Sequence, residues 1–146
     1  MGPDKDYSAT PLWKKLGLKP GHRISISSAP YPPVRFDPRP LVDGFRVVTE
    51  ATDADVQLFF TTSRETLERV FGSRAGRLPP HGGLWIAWPK KKSSLNEELG
   101  NDLDFDTVQR IGLAAGLVDN KSCSIDEDWQ ALRFVYRVED RPNGGR

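Results

Sequence analysis

The order of apolar and polar positions along the chain predicts strands that alternate with helices. Ile24 and Ile26 alternate with polar residues in a first strand over residues 22–27. Residues 55–60 form an apolar run, which is typical of a strand buried on both faces. Weaker patterns predict further strands over 45–49, 84–88, 117–124 and 131–138.

Capping residues and apolar stripes predict three helices. A short one covers residues 11–16 and starts with proline at its first position. A second begins at a capping box made by Thr62 and Glu65. A third is capped by Asp104 and ends at Gly116. The apolar stripes are Leu67, Val70 and Phe71 in the second helix, and Phe105, Val108, Ile111 or Gly112, and Ala115 in the third.

This order of elements predicts one α/β domain, a small three-layer Rossmann-like sandwich with a mostly parallel sheet. The link between the last two strands is too short for a crossover, so we expect an antiparallel C-terminal hairpin at the edge of the sheet. The domain spans residues 10–138. The polar segments 1–9 and 139–146 are predicted to be flexible termini.

Composition narrows the classes of protein to consider. The 146 residues carry 21 basic and 20 acidic side chains, a formal net charge of +1, so no global field favours nucleic acid. No apolar run is long enough to span a bilayer, and no secretory leader is visible at the N-terminus. Cys123 is the only cysteine, which excludes an intrachain disulfide and favours a cytoplasmic protein.

Three phrases of the chain resemble the methyltransferase version of the Rossmann fold. They are "LKPGHR" at 18–23, "LPPHGGL" at 78–84 and "AGL" at 115–117. The resemblance implies a sheet that ends in an antiparallel hairpin, and S-adenosylmethionine as the family's cofactor.

A closer resemblance is to a bacterial family of domains of unknown function, designated DUF3052. Its motifs are present here as "TPLWKKLGLKPG" at 10–21, "WPKK" at 88–91 and "GLVDNKSCSIDEDW" at 116–129. The similarity runs from Thr10 to about Val138. It implies a bacterial cytoplasmic setting and no particular activity.

The loop after the first strand argues against a cofactor cradle. Ser27 and Ser28 stand at the carboxyl end of that strand, the ligand edge of an open α/β sheet. The residues that follow include Pro30, Pro32 and Pro33, which lack N–H donors, and no glycine. We therefore predict no cofactor, with an atypical S-adenosylmethionine loop as the alternative.

A lysine run follows a second strand that should end at the same edge. Lys90, Lys91, Lys92 and Ser93, with Ser27 and Ser28, form a candidate binding site for a small anion. Trp88 beside them could stack on a planar ring. The alternative is a solvated charge run that keeps an apolar strand soluble.

The fifth predicted strand carries a second candidate, a polar cluster of Asp119, Lys121 and Cys123 with Asp126 after it. Strict alternation places Asp119, Lys121 and Cys123 on one face. A lysine beside the thiol would favour a reactive thiolate. The alternative is that Lys121 pairs with Asp119 or Asp126 while Cys123 packs as a small apolar residue.

The chain shows no catalytic acid–base pair, nucleophile triad, phosphate loop or metal-ligand set. We therefore interpret it as a non-enzymatic accessory or regulatory domain that binds a protein partner or a small anion. One alternative is an S-adenosylmethionine-dependent methyltransferase with an atypical cofactor loop. A second is nucleic-acid binding through the local lysine patch, which the near-zero net charge disfavours.

Overall fold

The computed structural model describes residues 12–27, 46–48 and 54–137. The predicted flexible termini, Ser28 and the proline-rich segment after it lie outside these ranges. The strands are β1 (Arg23–Ser27), β2 (Arg46–Val47), β3 (Val56–Phe60), β4 (Gly83–Pro89), β5 (Leu117–Ser124) and β6 (Trp129–Tyr136). The helices are α1 (Leu12–Lys15), α2 (Arg64–Gly76), α3 (Ser94–Glu98) and α4 (Phe105–Ala114).

The strands form one sheet in the order β2-β1-β3-β4-β6-β5. The pairs from β2 to β4 are parallel, and β6 pairs antiparallel with both β4 and β5. The predicted mostly parallel sheet with an antiparallel C-terminal hairpin is confirmed. However, the antiparallel strand is not at the edge, because β6 inserts between β4 and β5 and leaves β5 outermost.

Two apolar clusters cover the two faces of the sheet and make three layers. Residues of α1 and α3 pack with Trp85 on one face. Residues of α2 and α4 pack with Ile86 on the other. Every residue of β3 and β4 is buried, so the predicted burial of residues 55–60 on both faces is confirmed for the strand itself.

The helices differ from the sequence prediction at three points. Ser63, not Thr62, caps α2, because its Oγ accepts from Thr66 N at 3.1 Å. Phe105 was expected on the buried stripe of α4 but is 41% exposed. The short helix α3 was not predicted; it is too brief for an apolar period to reveal it.

Contacts of Asp55 connect the starts of β1, β3 and β4 at the amino-terminal edge of the sheet. Asp55 accepts from Arg23 N at 2.9 Å and lies 3.1 Å from His81 Nε2. Burial acts to raise the pKa of Asp55, but these hydrogen bonds and the two histidines outweigh it and hold the pKa below its ordinary value. Since His22 precedes β1 and His81 precedes β4, both histidines lie at the edge opposite to the carboxyl ends of these strands.

Candidate functional site

The register of the C-terminal hairpin brings two distant parts of the chain to the carboxyl edge of the sheet. Trp88 of β4 pairs with Gln130 of β6, and Gln130 also pairs with Ser124 of β5. The ends of β4 and β5 therefore flank the start of β6. As a result Lys90 Nζ donates to Ser124 Oγ at 2.6 Å, across 34 positions of sequence.

An open cleft of about 440 Å³ lies at this edge, and we call it the basic cleft. It is bounded by the lysine run, by the end of the hairpin and by the first residue of α4. Its lining residues are Trp88, Lys90, Lys91, Lys92, Phe105, Ser122, Cys123, Ser124, Gln130 and Ala131. The cleft thus joins residues from both sites predicted from the sequence.

The lysines of the basic cleft differ in their surroundings. Lys90 is half-buried and bridges to Ser124, whereas Lys91 and Lys92 are exposed. Hydrogen bonds from Thr107 hold the pKa of Asp104 below its ordinary value, and the charges of Arg110 and then Lys91 add to that effect. Outside the cleft, Lys15 Nζ donates to the backbone oxygen of Ser124 at 3.3 Å. Lys15 therefore adds a fourth ammonium group near the end of β5.

Trp88 and Ser93 are occupied by structural roles. The Trp88 side chain is only 2% exposed and packs with Leu103 and Val108, so it forms a wall and offers no free ring face for stacking. Ser93 Oγ accepts from Leu95 N at 3.0 Å and donates to Asp128 Oδ1 at 2.7 Å. The hydroxyl of Ser93 therefore caps α3 instead of facing an anion.

Ser27 does not join the lysines. It ends β1, which is two strands away from β4, and its Oγ accepts from Arg74 Nη1 at 2.8 Å. The guanidinium of Arg74 also lies 4.7 Å above the ring of Phe59. Ser28, the other serine of the predicted site, lies outside the described residues.

The predicted polar cluster on β5 is divided between two faces of the sheet. The register shifts between Asp119 and Lys121, so Asp119 pairs opposite Phe134 while Lys121 pairs opposite Arg133. Asp119 accepts from Gln109 Nε2 of α4 at 3.2 Å. Cys123 packs against the opposite core cluster. The prediction of one shared face is therefore wrong for Asp119, because a bulge adds one residue to the alternation.

Cys123 behaves as a packed apolar residue. Burial raises the pKa of Cys123 to about 11, although Lys15, Lys121 and Lys90 act in the opposite direction. The neighbouring ammonium groups thus fail to produce the thiolate that the sequence hypothesis required.

We expect native Cys123 to react slowly with iodoacetamide. At pH 8 it should be alkylated about a hundredfold more slowly than the same thiol in urea, because the thiolate is the nucleophile. The native rate should rise with pH up to about 11. Mass spectrometry of timed samples measures both rates, and equal rates in buffer and urea at pH 8 would contradict the assigned environment.

Asp126 shapes the hairpin turn. Its Oδ1 accepts from the backbone N–H groups of Asp128 and Trp129, each at 2.8 Å. Burial raises the pKa of Asp126 and nearby Asp128 adds to this, while these hydrogen bonds and Lys90 oppose it. Asp126 therefore holds the start of β6 in place beside the cleft.

Within the described ranges, no group of three or more His, Cys, Asp or Glu side chains is arranged to hold a metal ion. In the same part of the chain, no helix has the length and apolar character needed to cross a membrane. The lysine side chains that line the basic cleft are suited to binding an anion.

Sequence reasoning missed several residues of the basic cleft. Phe105 was assigned to the core, and the serines Ser122 and Ser124 were not singled out. The missing information was the placement of β6 between β4 and β5, which sets how far Ser122 and Ser124 lie from the lysines. The short link before β6 indicated a hairpin but not which strand the hairpin joins.

No protein-family model and no curated protein matches the chain. Its fold, however, is similar to solved methyltransferases. An O-methyltransferase family 2 protein from Planctomyces limnophilus, in complex with apigenin, has a TM-score of 0.57 at 12% identity, over 86% of this chain and 56% of its own. A methyltransferase of calicheamicin biosynthesis in its SAH-bound form has a TM-score of 0.55 at 11% identity, over 87% and 52%. The mitomycin 7-O-methyltransferase has a TM-score of 0.54 at 11% identity, over 80% and 49%.

At such low identity the likeness shows the fold alone: the domain is Rossmann-like, and its fold is similar to that of these methyltransferases. The chain spans about half the length of these structures. The methyltransferase-like outline expected from the sequence is confirmed at the level of fold. The resemblance to the bacterial family of unknown function stays a prediction.

Proposed function

We propose that this protein is a non-enzymatic accessory or regulatory domain that binds a small anionic ligand in the basic cleft. The observation that carries the proposal is the meeting of Lys90, Lys91 and Lys92 with the end of β5 around one cavity. Its volume of about 440 Å³ lies in the range of small-molecule sites, roughly 300–1,000 Å³. A bacterial cytoplasmic setting belongs to the same proposal.

The hydrogen bonds at the cleft support binding over catalysis. Lys90 is held by Ser124, so one ammonium group is oriented before a ligand arrives, and this lowers the entropy cost of binding. The thiol of Cys123 is protonated at neutral pH, and both histidines lie at the opposite edge of the sheet. The described lining residues therefore offer cations and hydroxyl groups but no general base poised near neutrality.

The lysine run should carry most of the anion affinity. We expect the triple variant Lys90→Ala, Lys91→Ala, Lys92→Ala to bind inorganic pyrophosphate at least about tenfold more weakly than the wild type, because charge-assisted hydrogen bonds are worth about 1.5–3 kcal/mol each. Isothermal titration at low ionic strength measures the affinities. The control variant Lys14→Ala, Lys19→Ala, Arg69→Ala makes the same charge change at exposed positions outside the cleft.

The control variant should keep wild-type affinity. If the two triple variants bind pyrophosphate equally, the attraction is one of overall charge and the cleft is not the site. If the wild type does not bind pyrophosphate measurably, the proposal is lost altogether.

A second candidate, S-adenosylmethionine-dependent methyl transfer, is favoured by the fold. The chain leaves β1 first toward β2 and then returns to β3 on its other side, so a crevice for ligands is expected between the carboxyl ends of β1 and β3. Arg74 donates to Ser27 there, and its remaining N–H groups fit an amino-acid carboxylate such as that of S-adenosylmethionine, which would supply the methyl group.

Thermal melting separates the two candidates. A rise in melting temperature with saturating S-adenosylmethionine, undiminished in the lysine triple variant, would favour the methyltransferase. A rise with pyrophosphate alone, lost in that variant, would favour the anion-binding domain.

A further inference from the structure

One side of the basic cleft is formed by an aromatic ring that the core does not use. Phe105 is the first residue of α4 and is 41% exposed, while Val108 one turn later is fully buried. Asp104 caps the helix, because its Oδ1 accepts from Thr107 N at 2.8 Å, and this fixes where the helix starts and so where Phe105 stands. A large apolar side chain held open at the edge of a charged cleft is suited to a ligand ring.

Carboxylates lie near two of the three lysines of the basic cleft. Asp104 precedes Phe105 directly and interacts with Lys91, so the region beside the ring carries a carboxylate as well as a cation. Lys90, toward the hairpin, interacts with the half-buried Asp126, and Lys92 is exposed. The two ends of a ligand are therefore distinguished by the side chains that line the cleft: its anionic end should lie on the lysine run and its uncharged ring against Phe105.

We propose that the basic cleft binds a nucleoside monophosphate, with its base against Phe105 and its phosphate on the lysine run. This inference rests on the proposed function and assigns the ligand class of the same site. A cavity of about 440 Å³ accepts one such molecule. The face of the base suits the ring of Phe105.

The test compares two ligands that share a phosphate and differ in the base. Isothermal titration of the full chain is carried out with adenosine monophosphate and with ribose 5-phosphate. Stacking of one base on an aromatic side chain should make adenosine monophosphate bind about tenfold more tightly. In Phe105→Ala its affinity should fall to that of ribose 5-phosphate, whose own affinity should not change.

Two variants control for folding and for exposed apolar surface. Phe105→Leu keeps an apolar side chain without a ring and should behave like Phe105→Ala, while melting curves establish that both fold. Leu113→Ala alters a similarly exposed residue of α4 outside the cleft and should bind both ligands like the wild type.

The outcomes separate this inference from the proposed function. Equal wild-type affinity for the two ligands overturns the nucleotide assignment but leaves anion binding intact. No binding of either ligand or of pyrophosphate overturns both. Tighter binding of a single-stranded oligonucleotide than of adenosine monophosphate also overturns the inference, in favour of a nucleic-acid surface.

Discussion

Trp129→Ala is expected to lower the free energy of unfolding by about 4 kcal/mol, because it empties the largest side-chain volume at the start of β6. Trp129 is 2% exposed and packs edge-on against Phe60, with the ring centroids 5.2 Å apart. Its backbone N–H also donates to Asp126 in the hairpin turn. Urea denaturation followed by circular dichroism measures the loss.

Two milder variants test whether packing or hydrogen bonding dominates. The Nε1–H of Trp129 has no hydrogen-bond partner within the described part of the chain, so Trp129→Phe removes volume only. Trp85 Nε1 donates to the Leu16 carbonyl at 3.1 Å, so Trp85→Phe also leaves a buried acceptor unpaired. Trp85→Phe should therefore cost about 1 kcal/mol more than Trp129→Phe, and the reverse order would contradict the assigned contacts.

Gly112→Ala is expected to destabilise the protein by about 2 kcal/mol, although the same change in an exposed helix interior usually stabilises by about 1 kcal/mol. A Cβ at Gly112 would overlap the ring of Phe134. That ring is fully buried and packs edge-on against Phe71, so it has little room to move. Helix α4 can approach β6 this closely only because residue 112 lacks a side chain.

The matched control for this variant is Gly72→Ala in α2. A Cβ at Gly72 meets no atom within 4 Å, and the residue is exposed. The control should raise the free energy of unfolding by about 0.5–1 kcal/mol. Urea denaturation of both variants should therefore show shifts of opposite sign, and shifts of the same sign would rule out the close approach at Gly112.

Local chemistry explains why much of the fold could be predicted. The buried run of β3, the Asp104 cap and the end of α4 near Gly116, whose φ is +96°, all depend on residues close in sequence. The start of α2 was misplaced by one residue because Thr62 and Ser63 are both good caps. Ser63 acts as the cap, while Asp102, 38 positions away, accepts from Arg64 N.

Only part of the candidate site could be predicted, because the rest depends on pairing between residues that are far apart in sequence. The lysine run was recognised as a cluster of charge, but Trp88 and Ser93 proved to be buried or engaged in capping. Asp119 was placed on the wrong face because one bulge reverses the alternation of β5. Phe105 was assigned to the core because a 3.6-residue period does not say where the covering layer ends.

By itself the sequence determined a three-layer α/β domain with an antiparallel hairpin, since apolar periods and turn residues act over short distances. It also determined where positive charge is concentrated. Only the tertiary structure decided that this charge faces a cleft, because strand order and register depend on contacts between residues far apart in sequence. The insertion of β6 between β4 and β5 is the decisive step, since it sets Lys90 beside Ser124 at the carboxyl edge.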